Sequence, residues 1–167
     1  MATHPFVINL AALRRSHDTR LHESRRGPIS GLAVTGSRLA EGGEVDIDID
    51  LDLVDGGVVA TGTIVAPWAG ECRRCLRPAA GEIRASVREL FEQDSDFEES
   101  YPLRGDQIDL EPLARDAILL ELPLTPLCSE DCRGLCSACG ANRNDVDCGH
   151  TDTPMDTRWA ALDALKD

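Results

Sequence analysis

Six residues near the C-terminus are of the types that bind soft metal ions, five cysteines and one histidine. Their spacing is C-x3-C-x3-C-x2-C-x8-C-x-H. A deprotonated cysteine is a strong ligand for zinc, and four such ligands close a tetrahedral structural site. We therefore expect four of these six residues to hold structural zinc: Cys128, Cys132, Cys136, Cys139, Cys148 and His150.

The strongest candidates among the six are the two cysteines of the C-x2-C-G turn, Cys136 and Cys139. A two-residue spacer lets both sulfurs face one ion, and Gly140 permits the unusual backbone dihedral angles that such a turn needs. Cys148 is the natural third ligand. The fourth ligand stays open among three residues: Cys128, Cys132 and His150.

Disulfides and unligated thiols are the competing interpretations of this cluster. Residues 1–6 show no basic region followed by a long apolar stretch, so a secretory signal is not indicated. We therefore expect a cytoplasmic, reducing environment, and the odd count of seven cysteines also fits disulfides poorly. An iron–sulfur cluster remains a minor alternative within the metal interpretation.

A second C-x2-C pair, Cys72 and Cys75, lies far upstream in Cys-Arg-Arg-Cys. Half of a metal site, a redox dithiol and a buried tight turn are the three interpretations. A redox motif is expected at a helix N-terminus after a strand, and that context is missing here. The pair could share a site with the C-terminal cluster, but it is the weaker ligand candidate.

Alternation of apolar and acidic residues over 45–53 predicts a strand with one face in water. Residues 55–57 then predict a turn, and residues 58–65 predict the returning strand. A further strand is expected over about 81–91. Because short connections favour antiparallel pairing, we predict an antiparallel β-sheet or partly open barrel.

The acidic side chains of the first strand do not indicate a calcium site. Alternate residues of a strand project in parallel instead of converging on one ion, and the spacing of a helix–loop–helix calcium loop is absent. We expect a solvated strand face carrying Asp46, Asp48, Asp50 and Asp52.

Before the strands, the stretch 16–28 is polar and rich in arginine, and we expect an exposed arm there. After the strands, 92–108 is acidic and poor in apolar residues, as a linker would be. These limits divide the chain into a mainly β region over 1–91, an acidic linker over 92–108 and a helical region over 109–167.

The helical region begins at about Asp109, where acidic residues and Pro112 are typical of a first helical turn. That helix is expected to end near Leu122, because a proline follows. The Cys-rich metal-binding segment occupies 128–150, and a last helix is expected beyond it, with an apolar stripe formed by Trp159, Leu162 and Leu165. The fold class is therefore α+β.

The composition excludes several classes of protein. The chain has 167 residues, which suits one domain, and no apolar run approaches the length of a membrane span. A net charge of −13 opposes nonspecific binding of nucleic acid, although local basic stretches could still bind RNA. No Ser-His-Asp pattern, phosphate-binding glycine loop or H-E-x-x-H motif is present, and no small-molecule substrate is evident.

Two motifs together make the chain recognisable: Glu-Cys-Arg-Arg-Cys-Leu-Arg-Pro over 71–78 and Pro-Leu-Cys-Ser-Glu-Asp-Cys-Arg-Gly-Leu-Cys-Ser-Ala-Cys-Gly over 126–140. With the acidic stretch and the Leu-rich helix between them, they resemble the YceD family, described as large ribosomal RNA subunit accumulation proteins. The resemblance covers nearly the whole chain. It implies a cytoplasmic bacterial factor needed for normal accumulation of 23S ribosomal RNA.

The expected function is therefore a noncatalytic role in ribosome biogenesis, by binding ribosomal RNA precursor or a large-subunit ribosomal protein. The alternative is an RNA-processing or redox enzyme that uses the Cys72/Cys75 pair or an open metal position. Guanidinium groups suit phosphate or carboxylate partners, so we expect an RNA- or protein-binding surface formed by Arg73, Arg74 and Arg77. Ion pairs with nearby acidic residues are the competing interpretation of these arginines.

Overall fold

The computed structural model describes residues 4–15, 19–93, 95 and 100–150. Most of the regular structure in these residues is β-strand, with one longer helix near the end of the sheet. The elements are β1 (Val7–Asn9), α1 (Ala11–Arg15), β2 (Arg20–Pro28), β3 (Ser37–Leu39), β4 (Glu44–Val54), β5 (Gly57–Glu71), β6 (Pro78–Glu92), β7 (Tyr101–Arg104), β8 (Gln107–Asp109) and α2 (Glu111–Glu121).

One eight-stranded sheet contains all of these strands in the order β1-β8-β7-β6-β5-β4-β2, with β3 paired to β5. The sheet curls into a half-barrel. Its centre is antiparallel: Asp52 pairs with Val59, and Val59 pairs with Leu90. The strand predicted over 45–53 is confirmed, and a turn at Gly56, with φ of 88°, joins it to β5.

The arginine-rich stretch predicted to be an exposed arm is instead a strand from Arg20 to Pro28, where β2 pairs with β4. Alternate residues of β2 face the acidic residues of β4. Arg20 donates to both carboxylate oxygens of Asp52, at 2.7 and 3.0 Å. The charges of the two strands thus compensate each other. The sequence of β2 alone does not indicate this pairing, because β2 lacks the apolar alternation of β4.

The pairs along this face form a ladder of opposite charges. Arg26 contacts Glu44 and Asp46, and His22 lies 3.1 Å from Asp50. The Arg20 guanidinium lowers the pKa of Asp52, chiefly by hydrogen bonding to it. The face is solvated, as predicted, and each of these pairs is exposed enough to contribute little individually to stability.

Residues 92–108, predicted to be a linker, contain two strands of the sheet. β7 pairs with β8 across a turn at Gly105, with φ of 62°, and β8 pairs with β1. Leu103 and Ile108 are buried in the main core. The stretch looks like a linker because its strands are short and their apolar residues few, so no periodicity is visible.

Helix α2 packs against β5 and β6, and its limits agree with those predicted. It buries Leu113, Ala114, Ala117 and Ile118, and the backbone leaves the helical conformation at Leu122. The core beneath it is mainly aliphatic, with Phe6 and Phe91 as its largest side chains. The helix predicted around Trp159 lies outside the described residues. No helix of the described part of the chain is long and apolar enough to cross a membrane.

Gly62 allows β4 and β5 to approach closely. A Cβ atom at this position would overlap the carbonyl oxygen of Asp48 and lie 2.7 Å from Cα of Ile49. We expect Gly62→Ala to lower the free energy of unfolding by about 2–3 kcal/mol, because backbone atoms must move to admit the methyl group. Thr61→Ala, at the exposed neighbouring position, should cost less than about 1 kcal/mol. Equal urea midpoints for the two variants would contradict this account.

Candidate metal centres

The connection between β5 and β6 forms a tight turn that carries Cys72 and Cys75. The N–H of Leu76 donates to the carbonyl of Cys72 at 2.8 Å, and the N–H of Cys72 donates to the carbonyl of Arg77 at 2.7 Å. Both cysteines are buried. Leu76 has φ of 60°, a left-handed conformation that costs a non-glycine residue about 1–2 kcal/mol.

The segment after α2 runs back across this turn and brings two more cysteines to it. The hydroxyl of Ser37 donates to the carbonyl of Pro123 at 2.8 Å, and the N–H of Arg73 donates to the carbonyl of Pro126 at 2.9 Å. These bonds fix the chain just before Cys128 and Cys132. Four cysteines from two distant parts of the sequence therefore meet at one place.

The sulfur geometry of this first site fits a tetrahedral ion better than it fits disulfides, and all four cysteines are free thiols. Sγ of Cys72 lies 3.7 Å from Sγ of Cys132, and Sγ of Cys75 lies 3.5 Å from Sγ of Cys128. All four sulfurs lie within 4.8 Å of one another. Zinc–sulfur bonds of about 2.3 Å at tetrahedral angles place two sulfurs about 3.8 Å apart, whereas a disulfide needs about 2.05 Å. The group could hold one metal ion.

A second group of four ligands forms within the C-terminal segment itself: Cys136, Cys139, Cys148 and His150. Its first turn repeats the first site. The N–H of Gly140 donates to the carbonyl of Cys136, and the N–H of Cys136 donates to the carbonyl of Ala141, both at 2.8 Å. Gly140 has φ of 73°. Only Cys136 of the four is buried, so this site lies nearer the surface.

The surroundings of the thiols favour the ionised form at one cysteine of each C-x2-C turn. Burial opposes ionisation of Cys72, but the backbone N–H groups of Cys128, Cys75 and Arg74 lower its pKa to about 6. In the second site, backbone N–H groups of Ala138 and Cys139 lower the pKa of Cys136 to about 6. Preformed donors to sulfur are what a thiolate ligand requires.

Hydrogen bonds link the two sites. Asn144, from the loop of the second site, donates through Nδ2 to Sγ of Cys132 at 3.3 Å. Its Oδ1 accepts the N–H of Arg133 at 2.7 Å. Donation by the Asn144 amide is the main influence lowering the pKa of Cys132. A side chain that contacts a ligand of one site while belonging to the loop of the other couples their geometries.

The three arginines of the first turn differ in their contacts. Arg74 donates to the carbonyl of Cys132 at 2.9 Å and so ties the turn to the cysteine segment. Arg77 forms an ion pair with Asp145 in the loop of the second site. Arg73 is exposed, and its guanidinium has no hydrogen bond or ion pair among the described residues. Glu82, a nearby acidic residue in the sequence, pairs with Arg84 at 3.6 Å and with none of these three arginines.

The partition of the ligands differs from the order of preference that spacing suggests. Cys72 and Cys75, the weaker candidates, lie with Cys128 and Cys132, while His150 lies with the three remaining cysteines. Spacing identifies each C-x2-C turn but carries no information on which distant pair meets it. Spacing also does not indicate that the segment after α2 returns to the β5–β6 turn, where the N–H of Arg73 donates to the carbonyl of Pro126.

The protein is therefore mainly a curled β-sheet with candidate structural metal centres. The connection of one hairpin and a cysteine-rich segment together supply the four soft ligands of the first centre. The sequence also matches a known protein family. Residues 60–166 match the model of the family described as large ribosomal RNA subunit accumulation protein YceD. The chain therefore belongs to the YceD family, as its motifs predict.

Relatives of the chain occur in mycobacteria and in plants. An uncharacterized protein of Mycobacterium tuberculosis is 34% identical over 172 residues, which is 95% of this chain and 80% of that protein. A maize protein named large ribosomal RNA subunit accumulation protein YCED homolog 1, chloroplastic, is 40% identical over 55 residues, 32% of this chain and 19% of its own. An Arabidopsis thaliana protein of the same name is 39% identical over 51 residues, 29% of this chain and 16% of its own. No solved structure matches the chain.

The two groups predict two metal ions per chain. Reconstitution with zinc should give a stoichiometry near two by elemental analysis, because each group supplies four ligands. Cys72→Ser should remove the ion of the first site and Cys148→Ser that of the second, each leaving about one. Ser137→Ala, in a turn but outside both ligand sets, is the matched control. A stoichiometry near one in the wild type, unaffected by Cys72→Ser, would contradict the first site.

Proposed function

We propose that this protein is a noncatalytic ribosome-biogenesis factor of the bacterial cytoplasm. It is needed for accumulation of 23S ribosomal RNA and acts by binding ribosomal RNA precursor or a large-subunit ribosomal protein. Membership of the YceD family supports a ribosome-related role. The names of the maize and Arabidopsis relatives point the same way.

The observation that carries the noncatalytic role is the completeness of the two ligand groups. Each group has four protein ligands, and a zinc ion bound by all four has no open position for water or substrate. Zinc is the ion proposed for both, since four thiolates or three thiolates with one imidazole are common structural zinc sets. Its role is to hold the C-terminal segment against the sheet, because that segment buries few apolar side chains of its own.

An RNA-processing or redox enzyme is the less favoured function. Cys72 is fully buried and Cys132 nearly so, and their sulfurs lie with those of Cys75 and Cys128. A dithiol that exchanges with a substrate needs an accessible nucleophilic sulfur. Partner binding is therefore assigned to the surface around the first turn instead of to its thiols.

The surface proposed to bind the partner includes Arg73, Arg74 and Arg77. Their contacts support different contributions: Arg74 and Arg77 hold the cysteine segment, and Arg73 is free to reach a phosphate or carboxylate. The arginines of β2 are less suited to RNA, because aspartates of β4 face Arg20 and Arg26, and Arg25 forms an ion pair with Glu23. The partner contact thus centres on the end of the sheet that carries the first turn.

Deletion of the gene should lower the ratio of 23S to 16S ribosomal RNA, and the wild-type gene should restore it. Arg73→Gln should restore it incompletely at normal protein abundance, because a partner contact is lost. Arg88→Gln, an exposed arginine of β6, is the control and should restore it fully. An unchanged ratio in the deletion strain would refute the proposed function.

Binding of purified protein to ribosomal RNA precursor, measured against salt, separates the two partner classes. Direct phosphate contact predicts an affinity that falls steeply with salt, and a slope reduced by about one in Arg73→Gln. A flat salt dependence with retained association to precursor particles would indicate a ribosomal protein as the partner.

A further inference from the structure

An open groove of about 670 Å³ lies beside the first metal centre, where the turn, β3 and the segment after α2 meet. Two small residues paired across neighbouring strands, Ala69 and Ala80, line it. Two leucines on its walls, Leu76 and Leu124, are each 62% exposed. Exposed leucines facing a groove over small residues form an apolar surface without a partner among the described residues.

Leu76 occupies a position where the backbone favours glycine. The turns 72–77 and 136–141 have the same two backbone hydrogen bonds, so Leu76 corresponds to Gly140 of the second turn. Both residues have positive φ, of 60° and 73°. Glycine adopts this conformation without strain and leucine does not. Because the Leu76 side chain is largely exposed, packing against the described residues does not account for a leucine at this position.

Two cations flank the apolar surface. The side chains of Arg38 and Arg73 are exposed and line the groove, and neither has an ion pair among the described residues. Glu71 is the acidic residue among those that line it. The local charge is therefore positive in a chain whose net charge is −13. The positive charge of the groove complements carboxylates on a ligand that binds between the two leucines.

We propose that this groove docks a segment of a partner protein in which aliphatic and acidic side chains lie together. The aliphatic side chains contact Leu76 and Leu124, and the carboxylates contact Arg38 and Arg73. This inference rests on the proposed function for its biological context and deepens it by naming a protein segment as what is bound. The first metal centre fixes Leu76 in place, since Cys72 and Cys75 are both in its turn.

A protein segment fits the groove better than single-stranded RNA. Sequence-tolerant RNA binding uses aromatic side chains on which bases stack, and none of the residues that line the groove is aromatic. Two guanidinium groups beside aliphatic walls supply few phosphate contacts. Burial of leucine against leucine supplies a favourable apolar contribution that phosphate and ribose cannot match.

The test uses a phage library of random 12-residue peptides, selected against the full-length, zinc-loaded protein. We expect recovered peptides to be enriched in acidic and aliphatic residues. A synthetic peptide of the recovered sequence should bind Leu76→Gly at least tenfold more weakly, by fluorescence anisotropy. Arg73→Gln should weaken it at least threefold. Leu120→Ala, at an exposed leucine of α2 outside the groove, is the matched control and should bind like the wild type.

The melting temperature and zinc content of Leu76→Gly provide an independent control. Because glycine relieves the left-handed strain, the variant should melt no lower than the wild type and keep both zinc ions. Loss of binding can then not be ascribed to unfolding. A lower melting temperature together with lost zinc would mean that Leu76 serves the fold, and the proposal would be wrong.

Other occupants are tested in the same assay. Displacement of the selected peptide by a synthetic peptide of residues 151–167 would assign the groove to this chain's own segment and overturn the proposal. Binding of a single-stranded RNA that Leu76→Gly abolishes would do the same, as would basic or featureless recovered peptides. Normal 23S ribosomal RNA in the deletion strain would refute the proposed function while leaving the peptide result to judge the groove.

Discussion

The meeting of four thiols at the end of the β5–β6 hairpin is the constraint on which the C-terminal part of this molecule depends. Beyond α2 the described chain has no helix or strand, and few of its apolar side chains are buried. Its contacts with the sheet include the cluster of four cysteines, the hydrogen bond from Arg74 and a few backbone hydrogen bonds. A bound ion would add coordination bonds where the segment lacks a core.

The same constraint places the features proposed to act in function. Leu76, Arg73 and Leu124 lie around one groove because the first turn and the segment after α2 are held together. Arg74 and Arg77 stabilise that junction by contacting the cysteine segment. The basic residues of one short motif therefore differ in their partners. A surface built from two distant segments exists only while those segments stay joined, so the proposed metal binding and the proposed partner binding would be coupled.

Local pattern predicts the local parts of this structure well. The alternation of β4 and the turn residues after it identify the antiparallel centre of the sheet, and the acid- and proline-rich start identifies α2. The sequence does not reveal β2 in the same way, because Arg20 and Arg26 become strand residues only when Asp52 and Asp46 lie opposite. The partition of the ligands is equally nonlocal, since Cys128 lies 53 positions after Cys75 in the sequence.

That separation has a consequence for the order of events during synthesis. The second group lies within one short stretch, so a metal ion could bind to it as soon as that stretch leaves the ribosome. The first group must close a loop of more than 50 residues, at an entropic cost on the order of 1–2 kcal/mol greater. The hairpin turn therefore carries two unmatched thiols until residue 132 has been made, and it is exposed to oxidation for that interval.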